Sequence, residues 1–303
     1  PDDWTTEMKQ RWIEVWEEFG FKTVFVINMN DAPSSQRQSF DHWSQLGMRW
    51  NAVEFGNEYY LPKFRNSNPD NLPEDNPEVT AQTAAMTIEK YMTELSPPFV
   101  NAFSDVNLPF LFQAAPYREE APNIHSYYMD WNEKLGQALG ANYYQQIDAH
   151  ITVHIYERDR PINYGQFDET RSLMPPGTRI FVTESGILED DSVAESSSEW
   201  EQRSQREVTH LNALYNALEA DDVIFHQVLY NNYAQGRSKE ATININGITP
   251  KGEAILQEMR SLMDSCTTVP LDVNALSAAC ESTLASTMES CYNNNCGTAV
   301  CAW

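Results

Sequence analysis

A parallel α/β fold of repeated βα units, arranged as a (β/α)8 barrel, is what this sequence predicts, and three observations predict it. Helix-period and strand-period segments alternate from the first residues onward, which is the pattern of βα units feeding a parallel sheet. Two of the apolar runs end in a glutamate, Glu58 after residues 49–57 and Glu184 after residues 178–183. A charge at the C-terminal tip of a buried strand is costly, and in a barrel those tips are where catalytic groups gather. No Gly-rich nucleotide loop follows any of the strand-like runs, which argues against a doubly wound nucleotide-binding sheet.

The elements follow in order. Trp12, Val15, Trp16 and Phe19 place an apolar stripe on a helix over about residues 5–19, which Gly20 stops. Thr23-Val24-Phe25-Val26-Ile27 reads as a buried parallel strand. Ser34 or Ser35 suits the N-cap of the next helix, which carries Phe40, Trp43 and Leu46 and ends at Gly47. The Glu58 strand comes next, then a Pro-, Asn- and Asp-rich loop over residues 61–78. A helix over about 79–95 precedes a strand over 108–113, and a helix around 127–139 precedes a strand over 147–156. After a loop at 157–177 comes the Glu184 strand, then a long polar helix at about 196–219 and a strand over 223–230. Thr249-Pro250 opens a last helix, with proline at a favourable first-turn position.

Bulk properties narrow the function. The chain has 303 residues, enough for one large α/β domain, and a formal charge of −24. Nucleic acid and anionic membrane surfaces are excluded as partners by the lack of a basic footprint. No apolar run reaches the roughly 20 residues of a membrane span. No signal peptide is visible, so any leader is expected upstream. The cysteines, Cys266, Cys280, Cys291, Cys296 and Cys301, all fall at the C-terminal end. Their clustering predicts a disulfide-stapled tail over residues 265–303, following a catalytic domain over 1–264, in a secreted protein. Their spacing does not match a zinc site, and the six histidines show no metal-ligand spacing, so neither a metal nor another cofactor is expected.

With these residues in place the chain resembles the clan A retaining glycoside hydrolases. Those enzymes carry an Asn-Glu pair at the end of strand four, its glutamate the acid/base, and a nucleophilic glutamate at the end of strand seven. Asn57-Glu58 matches the first pattern and Val182-Thr183-Glu184-Ser185-Gly186 the second, with two strands between them. The resemblance spans about residues 5–264 and implies that residues 223–230 form strand eight. It also implies an omission, because only one strand, over residues 23–28, precedes the Glu58 strand. A barrel lacking strands one and two would expose sheet edges. The expectation is therefore an incomplete or processed polypeptide, or a further chain or segment that supplies those strands.

The resemblance gives each residue an expected task. Glu58 would protonate the leaving oxygen and later activate water, while Glu184 would form the covalent glycosyl-enzyme, the two carboxyl groups standing about 5–5.5 Å apart. Asn57 would bond the sugar 2-hydroxyl. Tyr156 would hold Glu184 through its hydroxyl, with His154 beside it on the same strand. Asn28, Asn30 and Asp31 after strand three of the barrel and Gln113 at the end of strand five suit sugar hydroxyls. Tyr59, Tyr60 and Tyr117 suit sugar faces, and Tyr230 stands where the clan often has tryptophan. Glu54 shares the strand parity of Glu58 but sits deeper, so it reads as a buried partner for Arg49 or another basic group, and His150 reads as a core histidine.

The expected function is hydrolysis of O-glycosidic bonds in a polysaccharide or oligosaccharide by double displacement. Strongly anionic glycans are disfavoured by the charge. The alternative is a barrel that serves as a non-catalytic carbohydrate-binding or structural subunit of an extracellular assembly.

Overall fold

A computed structural model describes residues 10, 13–14, 23–60, 88–116, 122–157, 162–187, 197–219, 222–224, 243–244, 247–248, 253–254 and 257. Two compact units make up the chain, one of residues 1–154 with 165–181 and the other of residues 155–164 with 182–303. The strands are β1 (Val24–Ile27), β2 (Ala52–Phe55), β3 (Phe110–Ala114), β4 (Ala149–Glu157), β5 (Ile180–Ile187) and β6 (Val223–Ile224). They hydrogen-bond in chain order, β1-β2-β3-β4-β5-β6. The pairs β1–β2, β2–β3 and β3–β4 are parallel, in the registers Phe25↔Val53, Glu54↔Leu111 and Phe112↔Ile151. Sequential parallel strands joined through helices form an incomplete, open α/β topology that resembles part of a (β/α) barrel. Among the described residues β1 and β6 are the ends of that sheet.

In the first unit, α1 (Pro33–Gln45) turns Phe40 and Trp43 inward. Phe25 of β1 meets Phe40 edge-on at 5.3 Å between ring centroids and Trp50 at 5.2 Å. The N-cap of α1 is Ala32 and Pro33 follows, so neither Ser34 nor Ser35 caps it. No side chain caps it; the Asp31 carboxylate just ahead accepts the Ala32 N–H at 2.9 Å, the Gln36 amide at 3.1 Å and the Ser35 hydroxyl at 3.2 Å. These bonds, the backbone one foremost, hold the Asp31 carboxyl below its ordinary value. On β1 the side chains alternate, with Phe25 and Ile27 buried while Val26 is 44% exposed. Upstream, Ile13 is buried against Trp43 and Met48, and the remainder of the helix expected at 5–19 lies outside the described residues, apart from Gln10 and Glu14.

The helix expected to end near residue 95 runs on to 102, through a π turn at Tyr91–Leu95 and α2 (Ser96–Ala102). Pro97 and Pro98 have no N–H to donate back into an α-helical ladder, and the chain widens by one residue just before them. The Ser96 N–H and hydroxyl both reach the Tyr91 carbonyl, the hydroxyl at 2.6 Å. Next, α3 (Pro122–Leu139) buries Tyr127, Tyr128, Trp131, Leu135 and Leu139, a helical stripe against the sheet. Asn132 brackets the end of β3, its carbonyl accepting the Ala115 N–H at 2.8 Å and its amide reaching the Ala115 oxygen at 2.9 Å.

The loop expected over 157–177 contains a helix, α4 (Gln166–Ser172), which buries Phe167 and Thr170. In the second unit α5 (Ser197–Ala217) buries Glu207, His210, Leu211 and Leu214. A short antiparallel pair, β7 (Ile243–Asn244) with β8 (Gly247–Ile248), was not expected. Residues 253–254 and 257 are helical, within the expected last helix. The 61–78 loop, most of the strand expected at 223–230, and the cysteine tail lie outside the described residues. No helix among the described residues is long and apolar enough to cross a membrane.

Candidate active site

The first unit concentrates its buried polar groups where β2 and β3 end. Glu54 lies on β2, only 1% exposed, among Ala52, Val53 and Phe55, which are fully buried. The ladder of β2 stops at Phe55, and Gly56 then takes a left-handed conformation with φ +86°. A Cβ on Gly56 would stand 2.3 Å from the ring of Tyr59, so only glycine fits this turn. Glu58 follows with φ +47°, which among the described residues makes it the non-glycine residue in the left-handed region. Such a backbone costs on the order of 1 kcal/mol or more and persists only where the surroundings over-determine it.

Those surroundings are specific. The Glu58 N–H donates to the side-chain oxygen of Gln113 at 3.0 Å. The Gln113 amide nitrogen donates to Glu54 Oε1 at 2.6 Å and to the Gly56 carbonyl at 3.1 Å, so the orientation of the amide is fixed. Tyr91, reaching in from the π turn, donates its hydroxyl to the Phe55 carbonyl at 2.7 Å and accepts the Gln113 N–H at 3.1 Å. One phenol thus joins β2 to β3 just beyond their last paired residues. Burial pushes the Tyr91 hydroxyl well above its ordinary value, so it stays a neutral donor. Trp131 adds a bond from its indole N–H to the Gln113 carbonyl at 2.8 Å.

The Glu58 carboxylate accepts the Tyr60 hydroxyl at 3.0 Å and lies 3.7 Å from His154 Nδ1. The other ring nitrogen of His154 is 2.9 Å from Glu54 Oε1. The basic group beside Glu54 is therefore His154 rather than Arg49. His150, four residues earlier on β4, is a core histidine whose ring nitrogens meet the Arg179 backbone N–H at 3.2 Å, its guanidinium at 2.8–3.0 Å and Asp148 at 2.9 Å.

In the second unit, Tyr156 of β4 donates its hydroxyl to Glu184 Oε2 at 2.5 Å. Glu184 is half-buried on β5, which continues past it through Ser185 and Gly186 to Ile187. On α5, His210 Nδ1 lies 2.7 Å from the Tyr164 hydroxyl, and Glu207 is buried one helical turn before it.

The remaining candidates divide. Asn57 is half-buried in the turn between Gly56 and Glu58. Gln113 has its side-chain amide committed to Glu54, Gly56 and Glu58, so in this arrangement it holds the site together. Asn28 is exposed at the end of β1, and its side-chain oxygen accepts the Asn30 N–H at 3.1 Å. Tyr59 and Tyr60 are buried, Tyr59 against Tyr91 and Tyr60 against Tyr128 and Trp131, so neither offers a face for a sugar. Tyr117 and Tyr230 lie outside the described residues. Sequence reasoning missed Tyr91 and gave Glu54 no link to Glu58. The signal for the second was present in two carboxylates of one strand parity, followed later by His-x-Tyr on another strand.

A groove lined by Arg37, Asp41 and His42 of α1 and by Pro98 and Asn101 of α2 shares no residue with these clusters. Among the described residues no group of three or more His, Cys, Asp or Glu side chains is placed to hold a metal ion. No protein-family model matches the chain, and no curated protein matches it either.

Proposed function

We propose that the chain acts as a retaining glycoside hydrolase, with Glu58 as acid/base and Glu184 as nucleophile. The observation that supports this best is the backbone of Glu58, kept in a strained conformation beyond a strand end by Gln113 and Tyr91. A residue needed only for packing would relax, whereas a carboxyl group that must meet a bond at a set angle is worth such strain.

In the first step Glu184 attacks the anomeric carbon while Glu58 gives its proton to the departing glycosidic oxygen. The products are a glycosyl ester on Glu184 and a free hydroxyl on the leaving sugar. In the second step water attacks the same carbon, Glu58 takes its proton and Glu184 leaves as a carboxylate. The Tyr156 hydroxyl donates to Glu184 Oε2 and fixes the orientation of the nucleophile. The negative charge of the chain favours a neutral polysaccharide or oligosaccharide over an anionic one. Secretion, with disulfides among the five C-terminal cysteines that leave one free or paired outside the chain, belongs to the same reading.

The reading as a non-catalytic, carbohydrate-binding or structural subunit draws on the exposed Val26 of β1, an end strand among the described residues, whose apolar side chain could meet a partner. A screen against plant and algal polysaccharides separates the two, run with wild type and with Glu184→Ala. Hydrolysis by wild type, release of product with retained anomeric configuration and loss of turnover in a folded Glu184→Ala support the glycosidase. Equal hydrolysis by the variant, or an inverted product, ends it.

A further inference from the structure

Glu54 has no place in a two-carboxylate mechanism, yet it is among the most deeply buried charged groups described. Its side chain and that of His154 are each 1% exposed, and the two meet at 2.9 Å. Oε1 of Glu54 takes both available donors, the Gln113 amide and the His154 ring. Among the described residues, Oε2 has no hydrogen-bond partner. A buried carboxylate with one bare oxygen is costly unless a full opposite charge stands beside it. The imidazole is the group able to provide that charge. Its second nitrogen then faces Glu58 Oε1 at 3.7 Å, so Glu54, His154 and Glu58 form a line of alternating charge.

We propose that Glu54 is a positioning residue that keeps His154 doubly protonated, so that Glu58 faces a fixed cation that steadies the carboxylate left when Glu58 gives its proton to the departing oxygen. The inference rests on the glycosidase reading for its purpose, but the charge of His154 stands apart from that reading. Among the described residues of the first unit, the titratable groups that face this line include Glu54 from β2, Glu58 and the Tyr60 hydroxyl from the turn after it, and Tyr91 from the π turn, which burial keeps neutral and which packs against Tyr59. Gln113 from β3 is uncharged, and His150 on β4 is taken up by Arg179 and Asp148.

The sign of the kinetic effect follows. A cation beside Glu58 favours its ionised form, so in wild type it loses its proton at a lower pH than it would alone. Removing the charge of Glu54 neutralises His154, and activity that needs the protonated acid then extends to higher pH.

Nitrogen-15 NMR of histidine-labelled protein, with His154 assigned through its side-chain-to-backbone correlations, reads the charge without any substrate. His154 is expected to remain an imidazolium at pH 8 in wild type and to be neutral at pH 7 in Glu54→Gln. A neutral His154 at pH 7 in wild type overturns the proposal even if the variant fails to fold. On a polysaccharide found by the screen, Glu54→Gln should move the alkaline limb of kcat/KM upward by about one pH unit, with Glu54→Asp restoring most of the wild-type profile. A loss of thermal stability with an unmoved limb would reduce Glu54 to a packing residue and overturn the proposal. A cationic His154 in a protein that cleaves nothing would support the charge line and sink the glycosidase reading.

Discussion

The side-chain oxygen of Gln113 accepts the backbone N–H of Glu58 at 3.0 Å, and this bond holds a left-handed glutamate beyond the end of β2. Replacing Gln113 with leucine keeps the volume but strips the Glu58 N–H, Glu54 Oε1 and the Gly56 carbonyl of one partner each. Each buried group left unsatisfied costs about 1–3 kcal/mol. Urea denaturation should show Gln113→Leu destabilised by at least that much. Hydrolysis should fall further than stability does, because Glu58 is then free to leave its strained conformation.

Tyr156→Phe removes one hydroxyl from Glu184 and little volume. A hydrogen bond to a charged group is worth about 1.5–3 kcal/mol, so kcat should drop by about 10- to 100-fold. Steady-state kinetics at fixed pH reads the change, and an unaltered kcat would show that the 2.5 Å contact does not serve the nucleophile.

Gly56→Ala tests the turn that leads to Glu58. The added Cβ would press into the Tyr59 ring, on a backbone at φ +86° that L side chains rarely adopt. The expected cost is on the order of 2 kcal/mol, seen as a lower Tm, since Tyr59 is buried against Tyr91 and has little room to yield.

The Arg37–Asp105 pair gives a pH dependence away from the site. Arg37 donates to both Asp105 oxygens, Nη2 to Oδ2 at 3.0 Å. These bonds hold the Asp105 carboxyl below its ordinary value. The stability it contributes is present above the unfolded-state value of about 3.9 and is lost as pH falls through the lower folded-state value. Asp105→Asn should therefore melt earlier than wild type at pH 7, with the gap closing as pH falls through the lowered folded-state value and narrowing in high salt because the aspartate is exposed.

Much of the fold is legible in the chain because a parallel strand buried on both faces must be a continuous apolar run. Phe110-Leu111-Phe112 is such a run and needs no partner to be recognised, whereas Val24-Phe25-Val26-Ile27, equally apolar, leaves Val26 exposed. The helix α4, with the sequence Gln-Phe-Asp-Glu-Thr-Arg-Ser, hid inside an expected loop because its short span buries only Gln166, Phe167 and Thr170. Glu58 and Glu184 stood out as charges at strand ends. The bond between Tyr156 and Glu184 follows from an expectation about β4, whereas the contacts of Gln113 do not. Gln113 reads as a polar strand tip, and only the register Glu54↔Leu111 brings it level with the surroundings of Glu54 and Glu58. Tyr91 was illegible for a stronger reason, since its reach depends on a widened turn that no apolar periodicity announces.

That widened turn also sets how the chain tolerates insertion and deletion. An α-helix turns about 100° per residue, so deleting one residue between Tyr91 and Ser96 would rotate the incoming segment by that angle relative to α2. The Tyr91 hydroxyl would swing away from Phe55 and Gln113, while the helix itself, with its extra residue removed, would become more regular. Sequences descended from this one should therefore accept many substitutions along residues 93–95 but keep their number, because length here aims a side chain.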